Sequence, residues 1–387
     1  MFILLLLIAC FSTNLHAYPN FISKGYNACM TCHYNPFGAG PLNDYGRAVS
    51  ASVIADRLFI SKNVTDEDLG ESSGFLFNTP KQTFFRPSID YRGMQLKRGI
   101  DQDDPDDKYI NMQIDVNVVL KFGEKDKYIA SFTHGIVPDN SARPIKGEVE
   151  ELNYTREAYI GYRPTQSLGF YVGKMDKIFG LRVPDHNAYS KVAGNLTQYS
   201  SAAGFMFHLG GEKFDFGAQV FDSDGDIEKK EGEQTNGYTG KFEYSIFEDF
   251  RLGLSYLAES DKNENTKTMY ATTIKSRVGK GSSVMLEVGR IVNDIKASGE
   301  ITSNYIFLQN HMKLARGLNF LFTYQYYQAD TDKESEVFTF APGIQYYPWQ
   351  RVETRAEIQN TRSVDDDENT PVAQDSWTFL GQVHLWF

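Results

Sequence analysis

The sequence predicts an all-β protein, a transmembrane antiparallel β-barrel of about 16 strands with a small, partly helical N-terminal segment. Three observations predict this fold. Apolar and polar residues alternate with a period of two from Thr83 onward. The connections between the alternating segments are short and long in turn. The last segment is apolar on one face and ends in an aromatic residue, Phe387.

The alternation is clear near the C-terminus. Leu318, Phe320 and Phe322 alternate with the polar residues Asn319 and Thr323. Successive side chains of a strand point to opposite faces, so one face of this segment is apolar and the other is polar. Segments of roughly 9 to 13 residues suit strands that cross a bilayer at a tilt. We therefore expect the apolar face to contact lipid and the polar face to line the lumen.

The connections fall into two classes of length. Short turns recur near 123–126, 248–249, 316–317 and 348–350, and longer polar connections near 98–107, 138–150 and 176–198. Outer-membrane barrels have short periplasmic turns and long outer loops, so both termini are expected in the periplasm. The 176–198 loop leaves two alternatives open, because it could fold inward and narrow the lumen or remain outside it.

The composition agrees with a barrel and excludes other classes. The chain has 23 Tyr and 28 Phe, and aromatic residues form the two girdles of a membrane barrel. Its formal net charge of −11 makes nucleic acid an unsuitable partner.

The C-terminal residues carry a targeting pattern. Val383, Leu385 and Phe387 lie on one face of the last predicted strand, and Phe387 is the final residue. This ending resembles the terminal strand that the outer-membrane assembly machinery reads. The resemblance implies the bacterial outer membrane as the location, and its lipid and that machinery as partners.

The N-terminal residues read as an export signal. An apolar run from Phe2 to Ala9 is followed by small and polar residues, which predicts a secretory signal peptide cleaved after Ala17. Leu7-Ile8-Ala9-Cys10 also resembles a lipobox, which would instead make Cys10 a lipidated N-terminus. Under the first alternative the mature chain keeps two of the three cysteines, which excludes a disulfide framework.

Those two cysteines form the sequence Cys29-Met-Thr-Cys32-His33. This is the spacing of c-type haem attachment, in which the thiols bond to the porphyrin and the imidazole ligates the iron. A disulfide between Cys29 and Cys32 is an alternative. Zinc is less suitable, because it needs further ligands and the next histidine downstream is His134.

The residues after the motif contain two helix-start signals. Asn43 or Asp44 can cap a helix running to about Ile60. One apolar or small face of this helix could pack on a porphyrin edge, and it consists of Ala48, Val49, Ser52, Val53, Ala55 and Leu58. Thr65 begins a second helix-start signal. The His33–Gly40 continuation resembles small haem c segments on outer-membrane proteins. That resemblance covers residues 29–47. A barrel that carries such a segment is similar to porin–cytochrome electron-transfer proteins, which implies a signal peptide at 1–17, a haem c-type segment at 18–82 and a barrel at 83–387.

The resemblance implies a porin-like barrel carrying covalent haem c, with His33 as an iron ligand, for electron transfer at or across the outer membrane. A single haem cannot conduct across an apolar band of about 25 Å, so a periplasmic or outer-membrane cytochrome is the expected partner. The alternative is a passive diffusion channel or structural barrel whose Cys-x-x-Cys segment is a disulfide-closed plug or docking device. A haem peroxidase with an open sixth position is a third interpretation.

The sixth iron ligand is missing from the N-terminal segment, which offers no second His and no usable Met. Three barrel histidines lie on strands that run toward the periplasm, and alternation directs each toward the lumen. They are His208, His311 and His384. We favour His384, because the last strand closes against the first and so lies beside the haem segment.

Overall fold

Sixteen long strands form one antiparallel sheet that closes on itself as a barrel. The computed structural model describes residues 14–15, 19–24, 26, 28–38, 40–77, 84–137, 152–183, 185, 188–197, 200–223, 234–279, 281–365 and 372–387. The signal sequence, except Asn14–Leu15, and the loop predicted at 138–150 lie outside these residues. The prediction of an all-β barrel of about 16 strands is confirmed.

In chain order the strands are Phe85–Arg98 (β1), Asp106–Phe122 (β2), Tyr128–Val137 (β3), Leu152–Thr165 (β4), Leu168–Met175 (β5), Ala202–Gly210 (β6), Phe214–Asp222 (β7), Thr235–Phe247 (β8), Phe250–Asp261 (β9), Thr266–Val278 (β10), Ser282–Ile295 (β11), Gly299–Ala315 (β12), Leu318–Gln328 (β13), Glu336–Trp349 (β14), Val352–Asp365 (β15) and Val372–Trp386 (β16). Each strand pairs with its neighbours in sequence. A two-residue strand, Asn14–Leu15, also pairs with β10.

The barrel closes between its last and first strands. β16 pairs with β1 in a register that places Trp386 opposite Asp90 and Thr378 opposite Arg98. Phe387 extends this pairing, because its backbone N–H donates to the Ile89 carbonyl oxygen at 2.9 Å and its carbonyl accepts from Ile89 at 3.0 Å. The aromatic end of the chain is therefore part of the seam.

Short helices occur mainly in the N-terminal segment. The α-helices are Pro19–Ile22 (α1), Asp44–Val49 (α2), Asp66–Glu71 (α3) and Tyr189–Val192 (α4). The 3₁₀ turns are Cys29–Thr31, Phe75–Phe77 and Glu124–Asp126, and a π-helical turn is Ser50–Ile54. No helix in the described ranges is both long and apolar enough to cross a membrane.

The two helix-start predictions are confirmed, but the predicted end of the first helix is wrong. The Asn43 side chain accepts a hydrogen bond from the backbone N–H of Gly46 at 2.8 Å, and Thr65 forms a capping box with Asp68. The first helix does not reach Ile60. It widens into the π-helical turn and ends at Ile54, because Ala55 takes an extended conformation.

The N-terminal segment packs inside the barrel. Tyr34 and Phe37 belong to a buried cluster with barrel residues such as Tyr159 and Met206. Asn35 donates a hydrogen bond to Glu157 on β4 at 3.2 Å. A segment too small for its own large core thus shares the core of the barrel. We call residues 19–77 the plug.

The plug is fixed at the end of the barrel that carries the short turns. At the turn before β13, Arg316 donates a hydrogen bond to the Ala55 carbonyl oxygen at 3.0 Å. At the turn before β15, Arg351 donates to the Ser72 carbonyl oxygen at 3.0 Å, and its guanidinium lies 4.4 Å from the Phe77 ring centroid. The plug therefore occupies the mouth of the lumen at the short-turn end.

The long connection after β5 folds into the lumen. Ile178, Phe179 and Leu181 are at most 2% exposed. The backbone N–H of Ile178 donates to the Gln219 side chain at 3.0 Å, and Lys241 donates to the Gly180 carbonyl oxygen at 2.7 Å. Of the two alternatives for this loop, inward folding is confirmed for its described residues. We call 176–197 the inward loop.

A candidate cofactor cavity inside the barrel

The Cys-x-x-Cys-His motif is held in a compact loop. Its 3₁₀ turn is closed by a hydrogen bond from the Cys32 backbone N–H to the Cys29 carbonyl oxygen at 3.1 Å, and the His33 N–H donates to the same oxygen at 3.0 Å. The Asn43 backbone N–H donates to the Cys32 carbonyl oxygen at 2.8 Å, and its side-chain amide donates to the Thr31 carbonyl oxygen at 3.0 Å. The helix cap at Asn43 thus also positions the motif.

Two glycines allow this loop to pack tightly. A Cβ at Gly46 would overlap the carbonyl oxygen of Cys32, so only glycine fits where α2 crosses the motif. Gly38 has φ of +83°, and a Cβ there would lie 3.4 Å from the Cys29 sulfur and 3.9 Å from the Arg182 Cβ. Gly38 therefore lies between the Cys29 thiol and Arg182 of the inward loop.

Both thiols are free in the structure. Cys29 is partly exposed, whereas Cys32 is only 4% exposed. Burial raises the pKa of Cys32 to about 12, and the neighbouring Cys29 adds to this rise. Cys32 is therefore a protonated thiol at neutral pH. In the part of the chain that is described, no group of three or more His, Cys, Asp or Glu side chains is placed to hold a metal ion.

A cavity of about 280 Å³ lies between the plug, the inward loop and the barrel wall. Its size is just below the range of about 300–1,000 Å³ typical of ligand pockets. Cys29, Cys32 and His33 line one side of it, and His384 on β16 also lines it. Its apolar lining residues include Phe21, Leu42, Ile54, Leu181, Met285 and Trp386. Sequence reasoning missed Met285, a lumen-facing methionine of β11.

His384 has one ring nitrogen engaged by a carboxylate. Its Nδ1 lies 3.2 Å from Glu353 Oε2, while its Nε2 lies 3.9 Å from Asp90 Oδ1, beyond hydrogen-bond distance. A histidine that ligates a metal commonly donates its other ring N–H to a carboxylate, which orients the ring and makes the ligating nitrogen more basic. His384 has this arrangement, with Nε2 as the available nitrogen.

His208 and His311 also face the interior, as predicted, but are engaged elsewhere. His208 is 1% exposed, with Nε2 lying 2.8 Å from Asp215 and its ring 5.3 Å from that of Phe37. His311 is fully buried, with Nε2 lying 2.6 Å from the Gln345 oxygen. Neither is among the residues that line the cavity. The structure therefore brings only His384 of the three to the cavity of the motif.

The prediction that the apolar face of the first helix contacts the cofactor is wrong. Val53 and Leu58 are 37% and 69% exposed. The residues of this segment that line the cavity are instead Arg47, Ser50, Ala51 and Ile54. A π-helical turn bonds residue i to i+5 rather than i+4, so it changes which side chains share a face.

Sequence patterns also did not predict the excess of positively charged side chains around the cavity. Among the described residues that line it, eight carry Lys or Arg side chains and four carry carboxylates. Four of the cations, Arg182, Lys191, Lys241 and Lys275, belong to the inward loop and to β8 and β10. Alternation identifies the two strand lysines as lumen residues, but no local pattern shows that the loop delivers Arg182 and Lys191 beside them.

The fold is similar to that of porin-type β-barrels of bacterial outer membranes. OmpT of Vibrio cholerae matches with a TM-score of 0.58 at 12% identity, over 79% of this chain and 99% of that one. OprB of Pseudomonas putida matches with a TM-score of 0.60 at 9% identity, over 79% and 94%. An anion-selective porin from Comamonas acidovorans matches at 0.57 and 9%, over 78% and 99%. No protein-family model and no curated protein matches the chain.

Proposed function

We propose that the chain is a barrel of the bacterial outer membrane whose plug carries a covalently attached c-type haem, and that it transfers electrons at or across that membrane. The observation that carries the proposal is the shared cavity: Cys29, Cys32 and His33 line it together with His384. Short turns of such barrels face the periplasm, so the plug lies on the periplasmic side.

The residues that line the cavity fit a covalently attached haem. Both thiols are free, and both border the same cavity as an imidazole in the required sequence position. In attachment each S–H adds across a vinyl C=C bond, with sulfur bonding to one carbon and hydrogen to the other, so no external oxidant is needed. Apolar residues of the plug, loop and wall supply the water-poor lining that a porphyrin needs.

His33 would hold the iron on one side, and His384 is the candidate for the other. The group supplies reversible one-electron transfer when bound. Glu353 holds the His384 ring through Nδ1, which keeps Nε2 available in a fixed orientation. The position at the short-turn mouth suits exchange with a periplasmic or outer-membrane cytochrome, which is required because one centre does not span the apolar band of about 25 Å.

The test is a haem stain after denaturing electrophoresis, together with a redox spectrum of the purified protein, in a host that matures c-type cytochromes. The wild type should retain haem through denaturation. The Cys29→Ala/Cys32→Ala variant should lose it, whereas Ser50→Ala, at a cavity residue outside the motif, should not. A wild type without covalent haem rejects the proposal.

The porin-type fold itself favours a second function, a passive diffusion channel in which residues 19–77 are a plug. That function predicts haem-free protein that gives ion-conducting steps in planar bilayers. Because the plug and the inward loop both occupy the lumen, the conductance should be small and should increase when Arg316→Ala weakens the attachment of the plug.

A further inference from the structure

We infer that Arg182 and Lys191 of the inward loop form an anion site, which binds a group with two or more negatively charged oxygens inside the cavity of the motif. The inference goes beyond electron transfer, and its ligand chemistry has two sources. The oxygens belong either to the two propionate carboxylates of the proposed haem or to a free oxyanion such as inorganic phosphate.

The first observation is an incompletely paired guanidinium. Arg182 Nη1 lies 3.1 Å from Asp176 Oδ2. Its Nε and Nη2 are buried, and within the described ranges they have no hydrogen-bond partner. Buried donors of a charged group are strongly destabilising when they remain unsatisfied, so two such donors on one cavity residue indicate a missing acceptor.

The second observation is a buried amine beside it. Lys191 is 4% exposed and lines the same cavity. No described residue accepts a hydrogen bond from its amine or forms an ion pair with it. The negative charge of Glu287 acts on it most strongly, and the positive charges of Arg182 and Lys241 oppose that effect. Burying an ammonium that has no hydrogen-bonded acceptor is costly, and a bound anion lowers that cost.

The two lysines of the neighbouring strands have acceptors for their amines. Lys241 and Lys275 lie 2.8 and 2.7 Å from Glu243 Oε1, and Lys241 also binds the Gly180 carbonyl oxygen. They contribute positive potential but already have partners. Of these four cations, the two without complete partners belong to the inward loop, and Gly38 lies between Arg182 and the Cys29 thiol.

Phosphate binding to the full-length Cys29→Ala/Cys32→Ala protein in detergent tests the site without haem. Calorimetry should detect binding of inorganic phosphate, weakened at least tenfold by Arg182→Gln or Lys191→Gln and largely restored by Arg182→Lys. Lys296→Gln, an exposed loop lysine with a 61% exposed side chain, is the matched control and should have no effect. Retained heat-modifiable mobility in electrophoresis shows that each variant is folded.

The haem-bearing wild type separates the two sources. If propionates occupy the site, phosphate should no longer bind, and Arg182→Gln should lower the midpoint potential, because a cation near the iron disfavours the oxidised form. A tenfold change in the reduction equilibrium corresponds to 59 mV. If phosphate binds to the haem-bearing wild type as tightly as to the Cys29→Ala/Cys32→Ala protein, the ligand is a free oxyanion. The inference is overturned if replacing Arg182 and Lys191 changes neither phosphate binding nor the midpoint potential. A haem-free wild type that binds phosphate rejects only the electron-transfer function.

Discussion

Arg86 on the first barrel strand holds Asp44 at the start of α2 by two hydrogen bonds, from Nε at 2.7 Å and from Nη2 at 2.9 Å. Lys121 of β2 binds the same carboxylate at 3.0 Å. Two strands of the wall are thereby joined to the helix that follows the motif. Two-point arginine–carboxylate pairs fix geometry as well as supplying energy, so this contact sets how the plug enters the barrel.

Asp44→Asn should loosen the plug while leaving the barrel intact. Removing the carboxylate leaves the Arg86 side chain, 8% exposed, without its charge partner, at a cost of roughly 1 to 3 kcal/mol. Trp349 stacks on Phe77 of the plug at 5.9 Å, so its fluorescence reports docking. We expect the fluorescence to change at a lower denaturant concentration. Glu67→Gln, which replaces an exposed carboxylate of α3, is the control, and equal effects of the two variants would contradict this role.

The same contact should make docking sensitive to acid. Burial alone would raise the pKa of Asp44, but the hydrogen bonds from Arg86 and Lys121 hold it below its ordinary value of 3.8. A carboxylate with a lowered pKa contributes stability above its unfolded value and loses it as the pH falls through the folded value. The plug should therefore remain docked down to about pH 4 and loosen below it. In Asp44→Asn this transition, followed by Trp fluorescence, should be weaker; an unchanged acid transition would assign it to other carboxylates.

Gly46→Ala should disturb the motif without touching its ligands. The new Cβ would overlap the Cys32 carbonyl oxygen, and such overpacking costs roughly 1 to 3 kcal/mol. The expected result is a lower yield of covalent haem from a barrel that still assembles. Gly70→Ala is the matched control, because its Cβ would meet only the Ala48 Cβ, at 3.4 Å. A normal haem yield in Gly46→Ala would show that the loop tolerates a different path.

Sequence patterns predicted what repeats along the chain and missed what joins its distant parts. Alternation gave the strands and the inward direction of the histidines, since a period of two follows from the backbone of a single strand. The contact between Asn35 and Glu157 joins residues 122 positions apart, and nothing local to either residue encodes it. For the same reason the docking of the plug inside the lumen, and the loop cations beside its thiols, emerged only from the folded chain.

Replacing Phe387 with Asp should impair insertion into the membrane. The residue completes the seam through its backbone bonds to Ile89, and its ring lies 6.5 Å from that of Phe77. Charge at this position removes the aromatic ending that resembles an assembly signal. Membrane fractions should contain less heat-modifiable barrel, whereas Phe387→Tyr should insert normally. Undiminished insertion of the Asp variant would argue against a targeting role for this ending.

The identity of the sixth ligand is tested by removing the three histidines one at a time from the haem-bearing protein. His384→Ala should convert a six-coordinate low-spin spectrum to a high-spin one. Of the three histidines, only His384 lines the cavity, and its Nε2 has no partner within hydrogen-bond distance. His208→Ala and His311→Ala remove equally inward residues whose Nε2 atoms bind Asp215 and Gln345, so they should lower stability and keep the spectrum.

Glu353→Gln adds a test that a purely structural histidine would not pass. The carboxylate lies 3.2 Å from His384 Nδ1, so its removal makes the opposite nitrogen less basic. A ligand that donates less charge stabilises the oxidised iron less, and the lost negative charge acts in the same direction. Glu353→Gln should therefore keep the low-spin spectrum and raise the midpoint potential. If His384→Ala stays low-spin and Glu353→Gln leaves the potential unchanged, the ligand is another residue, and Met285, which lines the same cavity, is the next to replace.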